Sequence, residues 1–145
     1  MEVADVRPNG TLGSWSTSGM QVLPSVRHGH TVHIYNDTMY LIGGNSNGTL
    51  QSSVYYSKLN SDGTMNGWTL TSGFSTYGAR TTQGGSFSTV WGAYIYLAGG
   101  CSTVNGSGYC TVVESDTILA SINADGSLAE WNSINNLTVV DLDII

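Results

Sequence analysis

The chain has 145 residues, a formal net charge of −6 and only 10% charged side chains. Its length fits one domain, and the scarcity of charge argues against a helical bundle rich in Glu and Lys. Four basic residues against ten acidic ones exclude the basic stripe of a nucleic-acid-binding protein. No apolar run approaches the length of a transmembrane helix, so no membrane span is expected.

Three segments of the chain share the pattern Asn/Asp-Gly-Thr/Ser-Leu/Met-x-x-Trp. They are Arg7–Trp15, Asn60–Trp68 and Asn123–Trp131. Asn-Gly and Asp-Gly pairs favour a type I′ hairpin turn, in which both central residues need a positive φ. An apolar or alternating run precedes each pair. Each segment therefore predicts a strand, a tight turn and a second strand that carries the Trp.

A second repeated unit lies between these segments and reads as another hairpin. Its first copy predicts strands Thr31–Tyr35 and Met39–Ile42 around a turn at Asn36–Asp37, and its second copy predicts Ser86–Val90 and Tyr94–Ala98 around Gly92. Each copy ends at a glycine pair. The chain therefore consists of four-stranded units with a period of roughly 50 to 60 residues, which is typical of β-propeller blades.

The units resemble kelch repeats, in which a Gly-Gly pair ends the second strand, an aromatic residue lies on the third strand and a Trp lies on the fourth. Tyr55 fills the aromatic position in one repeat, and Thr117 or Ile118 takes it in the next. The resemblance assigns seven residues to blade packing: Trp15, Gly43, Gly44, Trp68, Gly99, Gly100 and Trp131. It implies an all-β, kelch-like β-propeller of about two and a half four-stranded blades.

The repeats divide the chain into a half blade over residues 1–24, a full blade over 25–72, a second full blade over 73–135 and a C-terminal strand over 136–145. Closed propellers have 4–8 blades. The chain is therefore either a fragment of a longer propeller or a subunit that completes a ring with its own copies. In the second case, residues 138–145 of one chain would join the half blade Val3–Trp15 of another.

Two cysteines, Cys101 and Cys110, flank a run of loop-forming residues in CSTVNGSGYC. We expect a disulfide, with two reduced thiols as the alternative, because one Cys pair is too small for a structural zinc site. The chain is also rich in Gly, Ser, Thr and Asn and has a single lysine, Lys58. These features favour an extracellular or cell-surface location.

Arg27, His30 and Arg80 would lie near the predicted inner strands, so they are the candidates for binding a ligand in a central channel. His28 and His30 would share one face of a strand, which suits a metal ion. The kelch resemblance instead implies a structural role for this segment. We therefore expect no metal ion and no other cofactor.

No catalytic signature stands out. The sequence has no Gly-x-Ser-x-Gly, HExxH or P-loop motif. Asp62 and Asp125 occupy equivalent turn positions, which the hairpins explain without catalysis. Three aromatic residues are either anchors for a protein partner or buried between blades: Tyr77, Trp91 and Tyr109.

These features predict a non-enzymatic extracellular module for recognition or assembly, which binds proteins, glycans or its own copies as a homo-oligomer. Two alternatives remain open. Kelch-like folds include a copper oxidase and a sialic-acid mutarotase, so the chain could be a fragment of a propeller enzyme. It could also be a structural subunit of a surface filament, joined by strand exchange through its apolar C-terminal segment.

Overall fold

The computed structural model describes residues 2–81 and 87–136. This part of the chain is all-β apart from one short 3₁₀ helix, Ser75–Tyr77. Its strands are β1 Thr31–Tyr35, β2 Thr38–Ile42, β3 Asn45–Ser46, β4 Thr49–Leu50, β5 Val54–Lys58, β6 Thr69–Thr71, β7 Phe87–Trp91, β8 Tyr94–Ala98, β9 Cys101–Val104, β10 Cys110–Val113, β11 Asp116–Ser121 and β12 Asn132–Asn136. None of the helical structure in these residues is long and apolar enough to cross a bilayer.

Two four-stranded antiparallel sheets dominate the fold. The first sheet has the order β1-β2-β5-β6 and the second the order β7-β8-β11-β12, so each is a meander of neighbouring strands. The small hairpins β3–β4 and β9–β10 each follow the second strand of a sheet. No sheet closes on itself within the described residues. The prediction of an all-β chain is confirmed.

The predicted inner hairpins are close to the observed ones. β1 has the expected bounds, β2 begins one residue earlier at Thr38, and β7 is shifted by one residue to Phe87–Trp91. Trp68 and Trp131 precede the outer strands β6 and β12 instead of lying on them. The predicted C-terminal strand, apart from Asn136 at the end of β12, lies outside the described residues, as does Ser86.

The turns differ from the prediction in one respect. A type I′ turn does join β1 to β2, where Asn36 and Asp37 have φ values of 44° and 54°. In the Asn60–Trp68 segment only Gly63 has a positive φ, so the prediction of a type I′ turn there is wrong. The Asp62 carboxylate accepts hydrogen bonds from the N–H and the hydroxyl of Thr64, at 2.9 and 2.7 Å. This side-chain bonding stabilises a three-residue loop that ends in a left-handed glycine.

The same loop recurs in the other two copies of the pattern. Asn9 accepts hydrogen bonds from the N–H and hydroxyl of Thr11, and Asp125 accepts them from Ser127. Gly10 and Gly126 have positive φ values of 80° and 92°. The three copies therefore form equivalent loops.

The core lies between the two sheets. Its fully buried members include Tyr40, Val54, Ile95 and Ile118. The pairing registers make each residue of the first sheet equivalent to one in the second, because Tyr35 pairs with Thr38 as Trp91 pairs with Tyr94. By the same registers, Leu41 pairs with Tyr55 as Leu97 pairs with Ile118. The equivalent of Tyr55 is therefore Ile118 and not Thr117.

Candidate functional site

The contact between the two sheets is built from hydrogen bonds and aromatic packing. The buried Tyr40 hydroxyl donates to the Gly126 carbonyl at 2.8 Å, and burial raises the pKa of this phenol to about 12. The indole N–H of Trp131 donates to the Ser72 carbonyl at 2.9 Å, and its ring meets Phe74 edge-on with centroids 5.4 Å apart. The side of the second sheet that carries Ile95 and Leu97 thereby covers one side of the first sheet.

The inner strands β1 and β7 also meet at this contact. His33 Nε2 lies 2.8 Å from the Ser88 hydroxyl, within hydrogen-bonding distance. Burial lowers the pKa of His33, because water solvates the charged imidazolium less well at this half-buried place than in the unfolded chain. The neutral ring is therefore the form that the folded chain favours at this contact.

Arg80 is held at the start of the second sheet and is only 2% exposed. Its guanidinium forms a two-pronged ion pair with the Asp116 carboxylate, at 2.5 and 2.7 Å. It also donates to the carbonyl oxygens of Gly99 and Tyr77. These partners use both terminal nitrogens of the guanidinium, so its contacts lie within the fold.

Arg27 occupies the equivalent place in the first sheet. It donates to the Gly43 carbonyl at 3.0 Å, as Arg80 does to that of Gly99. Where Arg80 has a carboxylate, Arg27 has the hydroxyl of Ser25 and, at 3.4 Å, that of Ser53. Its guanidinium carbon also lies 5.4 Å from the centre of the Tyr55 ring. Burial lowers the pKa of Arg27.

The third residue predicted for a ligand channel, His30, is half-buried beside Arg27. Its Nδ1 atom is buried and has no hydrogen-bond partner among the described residues. Burial lowers the pKa of His30, and the positive charge of Arg27 lowers it further. Both arginines already have hydrogen-bond partners within the protein. Ligand binding by Arg27, His30 and Arg80 stays a prediction.

The first of the predicted glycine pairs, Gly43–Gly44, lies where the segment leading to the second sheet packs on the first sheet. A Cβ on Gly43 would come within 2.8 Å of the Arg80 carbonyl, and one on Gly44 within 2.8 Å of the His28 carbonyl. All four glycines of the two pairs have positive φ. In addition, the Gly44 N–H donates to the Arg80 carbonyl at 2.7 Å. Residues with a side chain would both strain the backbone and push the strands apart.

The contact between the two sheets leaves two surfaces of the fold with exposed apolar side chains. The back face is the outer side of the second sheet at Trp91, Tyr94 and Tyr96. The front face comprises Leu12 and Trp15 of the N-terminal segment with Val32 and Ile34 of β1. Both faces carry large exposed apolar side chains, and Trp91 is 75% exposed. Of the predicted aromatic anchors, Tyr109 is likewise exposed, whereas Tyr77 is half-buried and accepts a hydrogen bond from the Ser133 N–H.

The predicted disulfide between Cys101 and Cys110 is present, with Cα atoms 5.7 Å apart. It joins the two strands of the β9–β10 hairpin. A cleft of about 380 Å³ separates this hairpin from the β3–β4 hairpin, and His28 and Asn45 lie in its wall. No group of three His, Cys, Asp or Glu side chains in the described ranges is arranged to hold a metal ion.

The sequence analysis did not identify the pairing of Asp116 with Arg80, because the two residues are 36 positions apart in the chain. Alignment of the two repeats contains a signal, since Asp116 is equivalent to Ser53 and both residues reach the arginine that opens their sheet. A comparison with known family models and with curated proteins finds no match to this chain. Its function is therefore inferred from its own residues and their contacts.

Proposed function

We propose that this chain is an extracellular assembly module, a section of a kelch-like propeller whose front and back faces bind copies of itself head to tail. The observation that supports this most directly is the equivalence of its faces. The back face repeats the side of the first sheet that the second sheet covers. In the front face, Val32 and Ile34 are equivalent to Ser88 and Val90, which lie on the side of the second sheet that covers the first. Leu12 and Trp15 of the N-terminal segment are equivalent to Leu128 and Trp131 in the repeat pattern.

The exposures of equivalent residues support the proposal at the back face. Tyr40 is fully buried by the second sheet, whereas its equivalent Tyr96 is half-buried. Thr38 is buried and its equivalent Tyr94 is exposed. A further sheet stacked on the back face would cover Tyr96 as the second sheet covers Tyr40. Such a sheet is available in a second copy of the chain.

The front face shows the converse relationship. Trp131 is 6% exposed because Phe74 and Ser72, which follow the first sheet, pack on it, whereas the equivalent Trp15 is 61% exposed. Leu12 is exposed and its equivalent Leu128 is buried. Burying a large aromatic or aliphatic side chain contributes about 1.5 to 3 kcal/mol. Covering these side chains would therefore favour association.

Contact of a front face with a back face is a heterologous interface. Such interfaces produce a closed ring where the rotation closes and a filament where it does not. A ring is the expected product, because stacked four-stranded sheets are the arrangement of propeller blades. The disulfide supports an extracellular setting, in which such bonds persist.

The experiment measures molar mass by light scattering after size exclusion. The wild-type chain is expected to form a discrete oligomer. Trp91→Arg should disable the back face and Ile34→Arg the front face, so each variant alone should be a monomer. Each variant retains one intact face, and an equimolar mixture should therefore form a one-to-one dimer and nothing larger.

Tyr109→Arg is the matched control, because Tyr109 is as exposed as Trp91 but lies on the disulfide loop and outside both faces. It should assemble like the wild type. A wild-type chain that stays monomeric, or variants that remain monomeric when mixed, would contradict assembly through these two faces. Circular dichroism of each variant confirms that it is folded.

A further inference from the structure

We propose that the cleft between the β3–β4 and β9–β10 hairpins binds a neutral polyhydroxylated ligand, with the chemistry of a single sugar unit. The cleft is separate from the front and back faces, so this inference does not depend on self-assembly. Its volume of about 380 Å³ lies at the lower end of the roughly 300 to 1,000 Å³ usual for small-molecule sites.

Asn45 is the first reason. It lines the cleft and is 3% exposed, yet its Oδ1 has no hydrogen-bond partner in the part of the chain that the structure describes. A buried amide oxygen without a partner destabilises the fold. The fold does not require this asparagine, because its equivalent in the second repeat is Cys101. A ligand explains why a destabilising Asn is present here. After the Asn45 amide rotates about its terminal side-chain torsion, a ligand hydroxyl can form a hydrogen bond with it.

His28 is the second reason. Its backbone is paired with that of Asn45 by two hydrogen bonds, at 3.0 and 2.8 Å, so the two side chains are held at one place in the cleft wall. In the second repeat, Thr81 makes the same pairing with Cys101. The repeat therefore needs the backbone contact but not the imidazole. The exposed imidazole is free to donate or accept a hydrogen bond across the cleft.

Gly106 in the opposite wall is the third reason. It has no positive φ, and a Cβ added to it would meet nothing within 4 Å. Neither backbone conformation nor packing therefore requires glycine at this position. Its effect is to leave the peptide group of the loop open to the cleft, where a ligand can approach the backbone closely.

The loop that carries Gly106 is held in place. The disulfide closes its base, and Asn105 Oδ1 accepts hydrogen bonds at 3.0 Å from the N–H groups of Ser107 and Tyr109. A preorganised wall loses little freedom when a ligand binds. The wall that carries His28 and Asn45 ends in the tight Asn47–Gly48 turn, in which both residues have positive φ.

The chemistry of the lining selects the ligand class. The cleft is lined by amides, an imidazole, glycine peptide groups and Val104, without Asp, Glu, Lys or Arg among its described lining residues. Amides and peptide groups form hydrogen bonds with hydroxyls in either direction. Val104 offers an apolar contact for C–H groups. A sugar unit satisfies both requirements, whereas an ionic ligand would lack a counter-charge.

The experiment titrates the full-length, isotope-labelled chain with galactose, glucose, mannose and N-acetylglucosamine, each to about 50 mM, and follows backbone amide shifts by NMR. At least one sugar should bind with a millimolar Kd and shift the amides of His28, Asn45 and Gly106. Asn45→Ala and Gly106→Val should each weaken that binding by about tenfold or more.

Gly67→Val is the matched control, because Gly67 also has no positive φ and an added Cβ there meets nothing within 4 Å. It should bind like the wild type. The proposal is overturned if none of the four sugars shifts these amides, or if Gly106→Val binds as well as Gly67→Val. Repeating the titration with Trp91→Arg separates this result from assembly, since a true site in the cleft binds sugar in the monomer as well.

Discussion

The buried Arg80 forms a two-pronged ion pair with the partly buried Asp116, and the equivalent pair in the first sheet is Arg27 with Ser53. Each arginine donates a hydrogen bond to the first carbonyl of the glycine pair in its own repeat, Gly43 for Arg27 and Gly99 for Arg80. They differ in that, among the described residues, only Arg80 has a carboxylate beside it. The two sheets therefore allow a direct comparison of an arginine paired with a carboxylate and an equivalent arginine beside a neutral hydroxyl.

Asp116→Ala is expected to destabilise the chain by about 3 kcal/mol, because it leaves the charge of Arg80 buried without a counter-ion. Ser53→Asp should instead stabilise it by about 1 kcal/mol, by placing a carboxylate beside the buried Arg27. Urea unfolding followed by tryptophan fluorescence measures both. If both substitutions changed the free energy of unfolding by the same amount and in the same direction, charge compensation at these arginines would not contribute to stability.

Tyr40→Phe tests the hydrogen bond between the sheets. It removes the donor to the Gly126 carbonyl in a buried place, and we expect a loss of about 1 to 2 kcal/mol. Tyr96→Phe is the matched control, because Tyr96 is the equivalent residue in the second sheet and is only half-buried. Thermal unfolding at low protein concentration should show a lower Tm for the first variant alone. A Tm unchanged in both would mean that the bond does not hold the sheets together.

Gly43→Ala is expected to destabilise the chain by more than about 2 kcal/mol. The residue has a φ of 59°, and its new Cβ would approach the Arg80 carbonyl to 2.8 Å. Gly67→Ala should have little effect, because that position has neither constraint. Urea midpoints compare the two directly. Similar midpoints would show that the glycine pair is not needed for the contact between sheets.

The stability of the chain should fall as pH is lowered from about 7 to 5. Burial lowers the pKa of His30 and of His33 in the folded chain, so in this range the unfolded chain takes up protons that the folded chain resists. The positive charges of Arg27 and His28 also lower the pKa of His30, whereas a hydrogen bond with the Arg27 backbone opposes this shift in part. The loss begins as pH falls through the unfolded pKa of about 6.5.

The double variant His30→Gln, His33→Gln should flatten this dependence in urea unfolding at several pH values. Asp62 and Asp125 do not interfere, because hydrogen bonds from Thr64 and Ser127 lower the pKa of these carboxyls, and their contribution is lost only as pH falls below about 4. A wild-type chain equally stable at pH 7 and pH 5 would contradict the assignment of the histidines as buried neutral groups.

The hairpins were predictable because their signals are local. The alternation of Thr31–Tyr35 and the Asn36–Asp37 turn lie within a few residues of each other, and the disulfide closes a short loop. The turn at Asp62 was predicted wrongly because the competing bond from its own carboxylate is not visible in the Asp-Gly pair. The ligand role predicted for Arg27 and Arg80 is untested, and the contacts that occupy both side chains come from other parts of the chain.

The sequence by itself determined an all-β chain of repeated four-stranded units with a disulfide hairpin, because strand alternation, turn residues and repeat spacing act over short distances. Only the tertiary structure decided which acid pairs with Arg80, that Trp131 is buried and Trp15 exposed, and that His28 and Gly106 face one cleft. Those relationships join residues far apart in the chain. They depend on how whole sheets pack, which no local pattern encodes.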